Sequence, residues 1–170
     1  MIPEAQPYIE DIIEQYKPRS FCEVGCHEGM TARWICHTIL NYYPRLVYIG
    51  YDAFEKVGIQ ERNGKSTPKK EKTITRLNWL QRKYKHFRYT LVEGFTQDTL
   101  VSPQKYGLVY IDGGHSYDTV KHDYSMLKDS KIIIFDDYNL EGVKQAVDEI
   151  GKGYELDFGH RKNRKWIIIN

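Results

Sequence analysis

The chain reads as an α/β protein built on a doubly wound, mostly parallel seven-stranded sheet, finished by a C-terminal antiparallel hairpin strand. Three observations carry this reading. Short apolar runs alternate with segments of helical periodicity. LVYI at 46–49, LVYI at 108–111 and IIIF at 132–135 are apolar without interruption, as strands buried on both faces are. Two strand-like runs close the sequence with only a basic turn between them.

Length agrees. Seven strands, six helices and twelve loops of ordinary size need roughly 156 residues, and the chain has 170. A single domain spanning 1–170 is therefore expected, large enough to bury about 70% of its unfolded surface and with no room for a separate substrate domain.

The elements follow in order. Tyr8, Ile9, Ile12, Ile13 and Tyr16 recur at helical spacing, and Pro18 stops the pattern. SFCEV (20–24) is a compact strand, GCHEG (25–29) a glycine turn, and Met30, Trp34, Ile35 and Leu40 line one face of the next helix. LVYIGYD (46–52) is a second strand ending in an acid. Residues 55–72 are polar, punctuated by glycine and proline and without periodicity, which predicts a mobile insertion serving as a lid.

Beyond it, TITRLNWLQRKYKHF (73–87) is helical, FRYTLVEG (87–94) a third strand, TQDTLV (96–101) a short helix and YGLVYID (106–112) a fourth strand. Ser116 is placed to cap a helix with Asp118 in its first turn and Val120, Tyr124 and Leu127 on one side. KIIIFDD (131–137) is the fifth strand, and Leu140, Val143, Ala146, Val147 and Ile150 mark the helix after it. GYELDFG and WIIIN, joined by HRKNRK, are the closing strands of this Rossmann-like order.

Composition excludes several classes. No apolar run approaches the ~18 residues that span a bilayer, and MIPEAQPYIEDIIEQY is acidic where a signal peptide is basic and then apolar. A cytoplasmic protein with no membrane partner is expected. Cys22, Cys26 and Cys36 are odd in number, crowded and without a C-x-x-C pair, so buried reduced thiols are favoured over disulfides or a zinc site with His27 and His37. The net charge is +2, yet residues 55–88 hold eleven Lys or Arg against three Glu. That asymmetry suits either a solvated lysine-rich face or a surface for an anionic partner such as nucleic acid.

In a doubly wound sheet, ligands bind beyond the carboxyl ends of the strands. The first strand ends Glu23-Val-Gly25-Cys-His-Glu-Gly29, which is E-x-G-x-x-x-G and not the G-x-G-x-x-G of a dinucleotide site. An acid at that position disfavours a phosphate and suits a ligand with a cationic amino group. Asp52 ends the second strand 27 residues after Gly25, a spacing that lets a carboxylate accept from both ribose hydroxyls. A nucleoside carrying an amino acid fits both, and S-adenosylmethionine (SAM) is such a molecule.

The later strand ends read Asp112-Gly113-Gly114-His115-Ser116-Tyr117, with Asp123, then Asp136-Asp137-Tyr138, Gly142-Val143 and Ala146-Val147. With the first turn, these residues make the chain resemble the class I SAM-dependent methyltransferases. Within them it is similar to the small branch with D-G-x-H-x-Y and D-D motifs, which includes metal-dependent sugar and natural-product O-methyltransferases. The resemblance runs from about Ser20 to the C-terminus.

It implies that Glu23, Gly25 and Gly29 hold the methionine part of SAM, Asp52 the ribose, and Glu93, Gly94 and Phe95 the adenine side, with Asp112 also at the cofactor. It implies too that Asp112, Asp136 and Asp137 bind Mg²⁺. Neighbouring strand ends lie about 4.8 Å apart, so three carboxylates there converge on one hard cation. The competing reading is that one of Asp136 and Asp137 turns away as a cap. His115, which titrates near neutral pH, is the candidate general base beside Asp112, or else a residue that shapes its loop; Tyr117 beside it is read as packing.

The expected activity is SAM-dependent methyl transfer to a hydroxyl of a small molecule or sugar, assisted by Mg²⁺, with a homo-oligomer admitted. Two alternatives stand. One is a non-catalytic SAM- or nucleoside-binding module. The other is a nucleic-acid methyltransferase, against which no N-P-P-Y or D-P-P-Y tetrapeptide follows the fourth strand.

Overall fold

The structure, a computed structural model, describes residues 5–56, 69–151, 153–157 and 165–169. Its elements run α1 (Gln6–Tyr16), β1 (Ser20–Val24), α2 (Met30–Tyr42), β2 (Arg45–Asp52), α3 (Lys70–Lys83), β3 (His86–Glu93), α4 (Thr96–Thr99), β4 (Leu108–Ile111), α5 (Tyr117–Leu127), β5 (Ile133–Phe135), α6 (Glu141–Ile150), β6 (Tyr154–Asp157) and β7 (Lys165–Ile169). The sheet order is β3-β2-β1-β4-β5-β7-β6. Strands β1 to β5 pair in parallel, while β7 runs antiparallel to β5 and β6 antiparallel to β7.

This order sets where the chain switches direction across the sheet. The chain steps from β1 outward to β2 and β3, then returns to the other flank of β1 with β4 and continues outward to β5. The connection leaving β1 runs to α2 on one face and that leaving β4 to α5 on the other, the switch point beyond which such sheets have their crevice.

Alternation along the strands builds the two faces. Phe21, Tyr48, Tyr110 and Ile134 belong to one buried cluster with α1, α2 and α3. Cys22, Val109, Ile111, Ile133 and Phe135 belong to the other, with α5 and α6. Successive side chains point to opposite faces, so an uninterrupted apolar run is what a two-layer cover requires.

Three expectations change. Met30 is exposed, and the inward face of α2 is Ala32, Ile35, Cys36, Ile39 and Leu40; a side chain in the first helical position leans back past the helix end. The helix expected at 73–87 is α3, which ends at Lys83 where Tyr84 turns extended; His86 and Phe87 already belong to β3. Of the insertion expected at 55–72, residues 55 and 56 lie in a 3₁₀ turn and 70–72 in α3. Residues 57–68 lie outside the described ones.

Ser116 does cap α5, its hydroxyl accepting from the Thr119 N–H at 3.3 Å. The three cysteines are buried and free. Among the described residues, no helix is long and apolar enough to cross a membrane.

Candidate active site

The turn after β1 is closed by glycine. Gly25 has φ +89°, and a Cβ there would stand 2.0 Å from the Asp112 carbonyl oxygen, so only a bare backbone lets the β1 and β4 turns touch. Across the turn, α3 is fastened to the same loop. Thr73 Oγ1 donates to the His27 carbonyl at 3.0 Å, Lys72 Nζ pairs with Glu28 at 2.6 Å, and Arg76 donates to the Glu28 carbonyl. His27 itself is held at φ +49°.

On the β1–β3 side, each carboxylate has a protein partner. Glu23 is fully buried and accepts from the Tyr48 hydroxyl at 2.6 Å through Oε2. Its Oε1 has no hydrogen-bond partner. Burial raises its pKa to about 8; the Tyr48 bond opposes the rise, and the charges of Asp112 and Asp52 add to it. Asp52 accepts from the backbone N–H groups of His27, at 2.6 Å, and Phe54. Burial raises its pKa, and those two N–H bonds hold the rise back.

Glu93, paired in register with Asp52, is bound by Lys70 at 2.7 Å and Lys56 at 3.5 Å. The Lys70 bond is the main cause of its lowered pKa. Gly94, at φ +150°, donates its N–H to the Asp52 carbonyl at 3.0 Å, and Phe95 is exposed.

On the β4–β5 side the arrangement differs. One donor atom each from Asp112, His115 and Asp137 lies within 4.8 Å of the others. His115 Nε2 is 3.4 Å from Asp137 Oδ2. Asp136 is not in this group. It is 2% exposed and accepts from the Tyr110 hydroxyl at 2.7 Å and from the Asp137 N–H at 2.8 Å. Both acids lie beyond β5, and the backbone turns into the left-handed region at Asp137, φ +53°, which separates its side chain from the buried Asp136.

The His115 loop is set from both flanks, by the Ser116 cap and by Gly142 at the start of α6, where a Cβ would come within 2.4 Å of the His115 carbonyl oxygen. Tyr117 donates to Glu149 at 2.6 Å, a link between α5 and α6.

Sequence reasoning missed the buried partners. Tyr48 under Glu23 and Tyr110 under Asp136 sit on neighbouring strands, and residue spacing does not show which hydroxyl meets which acid. Gly50 was the available signal: a Cβ there would lie 2.5 Å from Cys26 Sγ and 2.6 Å from the Tyr48 hydroxyl, so a mid-strand glycine marked a crowded polar spot. Asp123 belongs to the later motif by spacing alone. It is fully buried, and burial pushes its pKa up to about 6, a rise that the Thr96 hydroxyl and the His122 charge oppose.

A family model described as a methyltransferase domain matches residues 22–138, from β1 through the residue after Asp137. The chain belongs to this methyltransferase family. Solved structures repeat the methyltransferase's fold. The O-methyltransferase NovP is similar with a TM-score of 0.72 and 16% identity, over 98% of this chain and 80% of that one. TomG from Streptomyces achromogenes, an O-methyltransferase solved in complex with SAM, gives 0.65 and 13% over 95% and 76%. An O-methyltransferase from Bacillus cereus in complex with SAH gives 0.66 and 12% over 99% and 80%. No curated protein matches the sequence.

The residues matched to this methyltransferase family include both groups of acids. Part of the chain's basic stretch is paired: Lys56 and Lys70 with Glu93, Lys72 with Glu28, and Arg76 with the Glu28 carbonyl.

Proposed function

We propose that this methyltransferase moves the methyl group of SAM to a hydroxyl of a small molecule or sugar. The observation that carries the reading is the convergence of Asp112, His115 and Asp137 across the crevice from Asp52. A carboxylate and imidazole group at that place is proton-handling chemistry for a hydroxyl.

The residues of the other side fit SAM. The buried Oε1 of Glu23 lacks a donor, and the methionine ammonium is the donor assigned to it. The Asp52 carboxylate, held by two backbone N–H groups, keeps lone pairs for the ribose hydroxyls. Gly94 and Phe95 are assigned to the adenine; Glu93 beside them is committed to its lysines. Bound there, SAM supplies a methyl group on a sulfonium, which an oxygen nucleophile displaces in line.

The chain's own work is to aim and deprotonate the acceptor. Asp112, whose N–H is fixed to the Val24 carbonyl at 2.8 Å, orients the hydroxyl, and His115 takes its proton. Asp137, 3.4 Å from Nε2, steadies the imidazolium that results. Asp112, His115 and Asp137 also fit a divalent cation, with Mg²⁺ the ion expected from the sequence; a bound cation supplies Lewis-acid polarisation of the hydroxyl.

Calorimetry with SAM, followed by product analysis across hydroxylated acceptors, tests the reading. Wild type binds SAM and forms a methyl ether, and Asp52→Ala weakens SAM binding by about tenfold or more, because the ribose hydroxyls lose their acceptor. Tight SAM binding without transfer to any hydroxyl overturns the transferase reading in favour of a binding module. Absence of SAM binding overturns both.

A further inference from the structure

Asp112, His115 and Asp137 bring two carboxylate oxygens and one imidazole nitrogen together. The remaining strand-end acid is spent elsewhere. Drawing Asp136 into the group breaks its bonds from Tyr110 and from the Asp137 N–H at a site that is 2% exposed, and a buried carboxylate that loses its donors is costly.

His115 already stands beside Asp137. Two ligands about 2.1 Å from one ion are about 3.4 Å apart at a tetrahedral angle, and His115 Nε2 is 3.4 Å from Asp137 Oδ2. All three residues are of intermediate burial, while the His115 Nε2 atom itself is buried. The imidazole is held there by its loop, which the Ser116 cap and the close approach of Gly142 fix on either side.

The donor set decides the ion class. Mg²⁺ takes oxygen ligands, prefers to keep waters and gains little from an imidazole. Iron, cobalt, nickel and zinc accept mixed nitrogen and oxygen sets and bind more tightly in the Irving–Williams order. We infer that Asp112, His115 and Asp137 form a mixed nitrogen–oxygen site for a first-row divalent transition metal, with His115 as a ligand and Asp136 outside the site. The inference rests on the proposed function for its reading of this crevice as the acceptor side. It also has a cost for that mechanism: an Nε2 bonded to a metal has no lone pair for the acceptor's proton, so His115 is a base only in the metal-free protein.

The test uses the full chain after chelator treatment. Co²⁺, Mn²⁺ and Mg²⁺ are titrated by calorimetry, and the Mn²⁺ form is examined by pulsed electron paramagnetic resonance for coupling to a ¹⁴N nucleus. Co²⁺ binds about tenfold or more tightly than Mg²⁺, and the Mn²⁺ form shows ¹⁴N coupling that His115→Gln abolishes. His115→Gln and Asp137→Asn each weaken Co²⁺ by about tenfold or more, since even residues behind a ligand cost that much; Asp136→Asn changes it less than about threefold.

Bound Mn²⁺ without ¹⁴N coupling, Mg²⁺ binding that equals Co²⁺, or Asp136→Asn matching Asp137→Asn overturns the assignment, as does absence of cation binding. The wild-type spectrum decides the point even if a variant folds poorly. SAM calorimetry on the same samples keeps the two readings apart: a protein that holds Co²⁺ through His115 and does not bind SAM loses the transferase reading alone, and one that binds SAM and no cation loses the metal site alone.

Discussion

The two sides of the crevice handle their acids in opposite ways. At the ends of β1, β2 and β3 the carboxylates are separated and individually supported: Glu23 by Tyr48, Asp52 by two backbone N–H groups, Glu93 by two lysines. At the ends of β4 and β5, Asp112 and Asp137 are instead gathered around one imidazole. Supported acids suit a ligand whose polar groups arrive at fixed places. A gathered set suits a proton or a cation, which is shared among donors. Under the proposed function, binding and chemistry fall on different flanks of β1, with the Gly25 turn as their seam.

Breaking the seam has the largest expected effect. Gly25→Ala places a Cβ 2.0 Å from the Asp112 carbonyl at φ +89°, combining left-handed backbone strain with overpacking for about 3 kcal/mol or more of lost stability. Urea unfolding measures the loss, and calorimetry follows SAM and Co²⁺ together. Both affinities fall in parallel if the flanks share this contact; a fall in one alone shows that they are built independently.

The next effect sharpens the contrast within the supported flank. Glu23 has a folded pKa of about 8 against an ordinary 4.5, so the folded state holds this proton more tightly than the unfolded chain does. The stability that follows is fully present below pH 4.5 and is lost as pH rises to about 8. Glu23→Gln does not titrate. Its stability relative to wild type therefore improves between pH 5 and 8 by an amount on the order of a few kcal/mol, read from urea midpoints at each pH. Parallel profiles for the two proteins show that Glu23 enters the fold as a charged group.

The same contrast sets what was legible in the sequence. Strand ends were readable because a buried parallel strand is an apolar run that must stop, and Asp52 and Asp112 stand where theirs stop. Asp136 and Asp137 were not separable: both close the same run, and which one reaches the crevice depends on the face that Tyr110 occupies one strand away. The Glu28 and His27 ties to α3 cross more than forty residues of sequence, and no local pattern announces them. Helix ends misread for a related reason. Tyr84 leaves α3 where its neighbours pair as β3, a choice made by the sheet and not by the helical residues.

The smallest effect tests whether every support counts. Lys70 reaches Glu93 at 2.7 Å with both side chains about one-third exposed, and its backbone N–H is also held by Glu55. Lys56 is 3.5 Å from the same carboxylate and 58% exposed. Exposed, long pairs are screened by water and salt. Lys56→Ala is therefore expected to leave the unfolding midpoint unchanged within error. Lys70→Ala moves the Glu93 carboxyl pKa upward toward its ordinary value in a carbon-detected NMR titration, because the Lys70 bond is the main reason it lies low. Because a lowered carboxyl pKa contributes stability above its ordinary value and loses it in acid, the Lys70 variant also loses less stability than wild type as pH falls. Equal responses to the two substitutions would mean that Glu93 is held by the summed positive field of its lysines and not by one bond, and the supported flank would then be less specifically built than its geometry indicates.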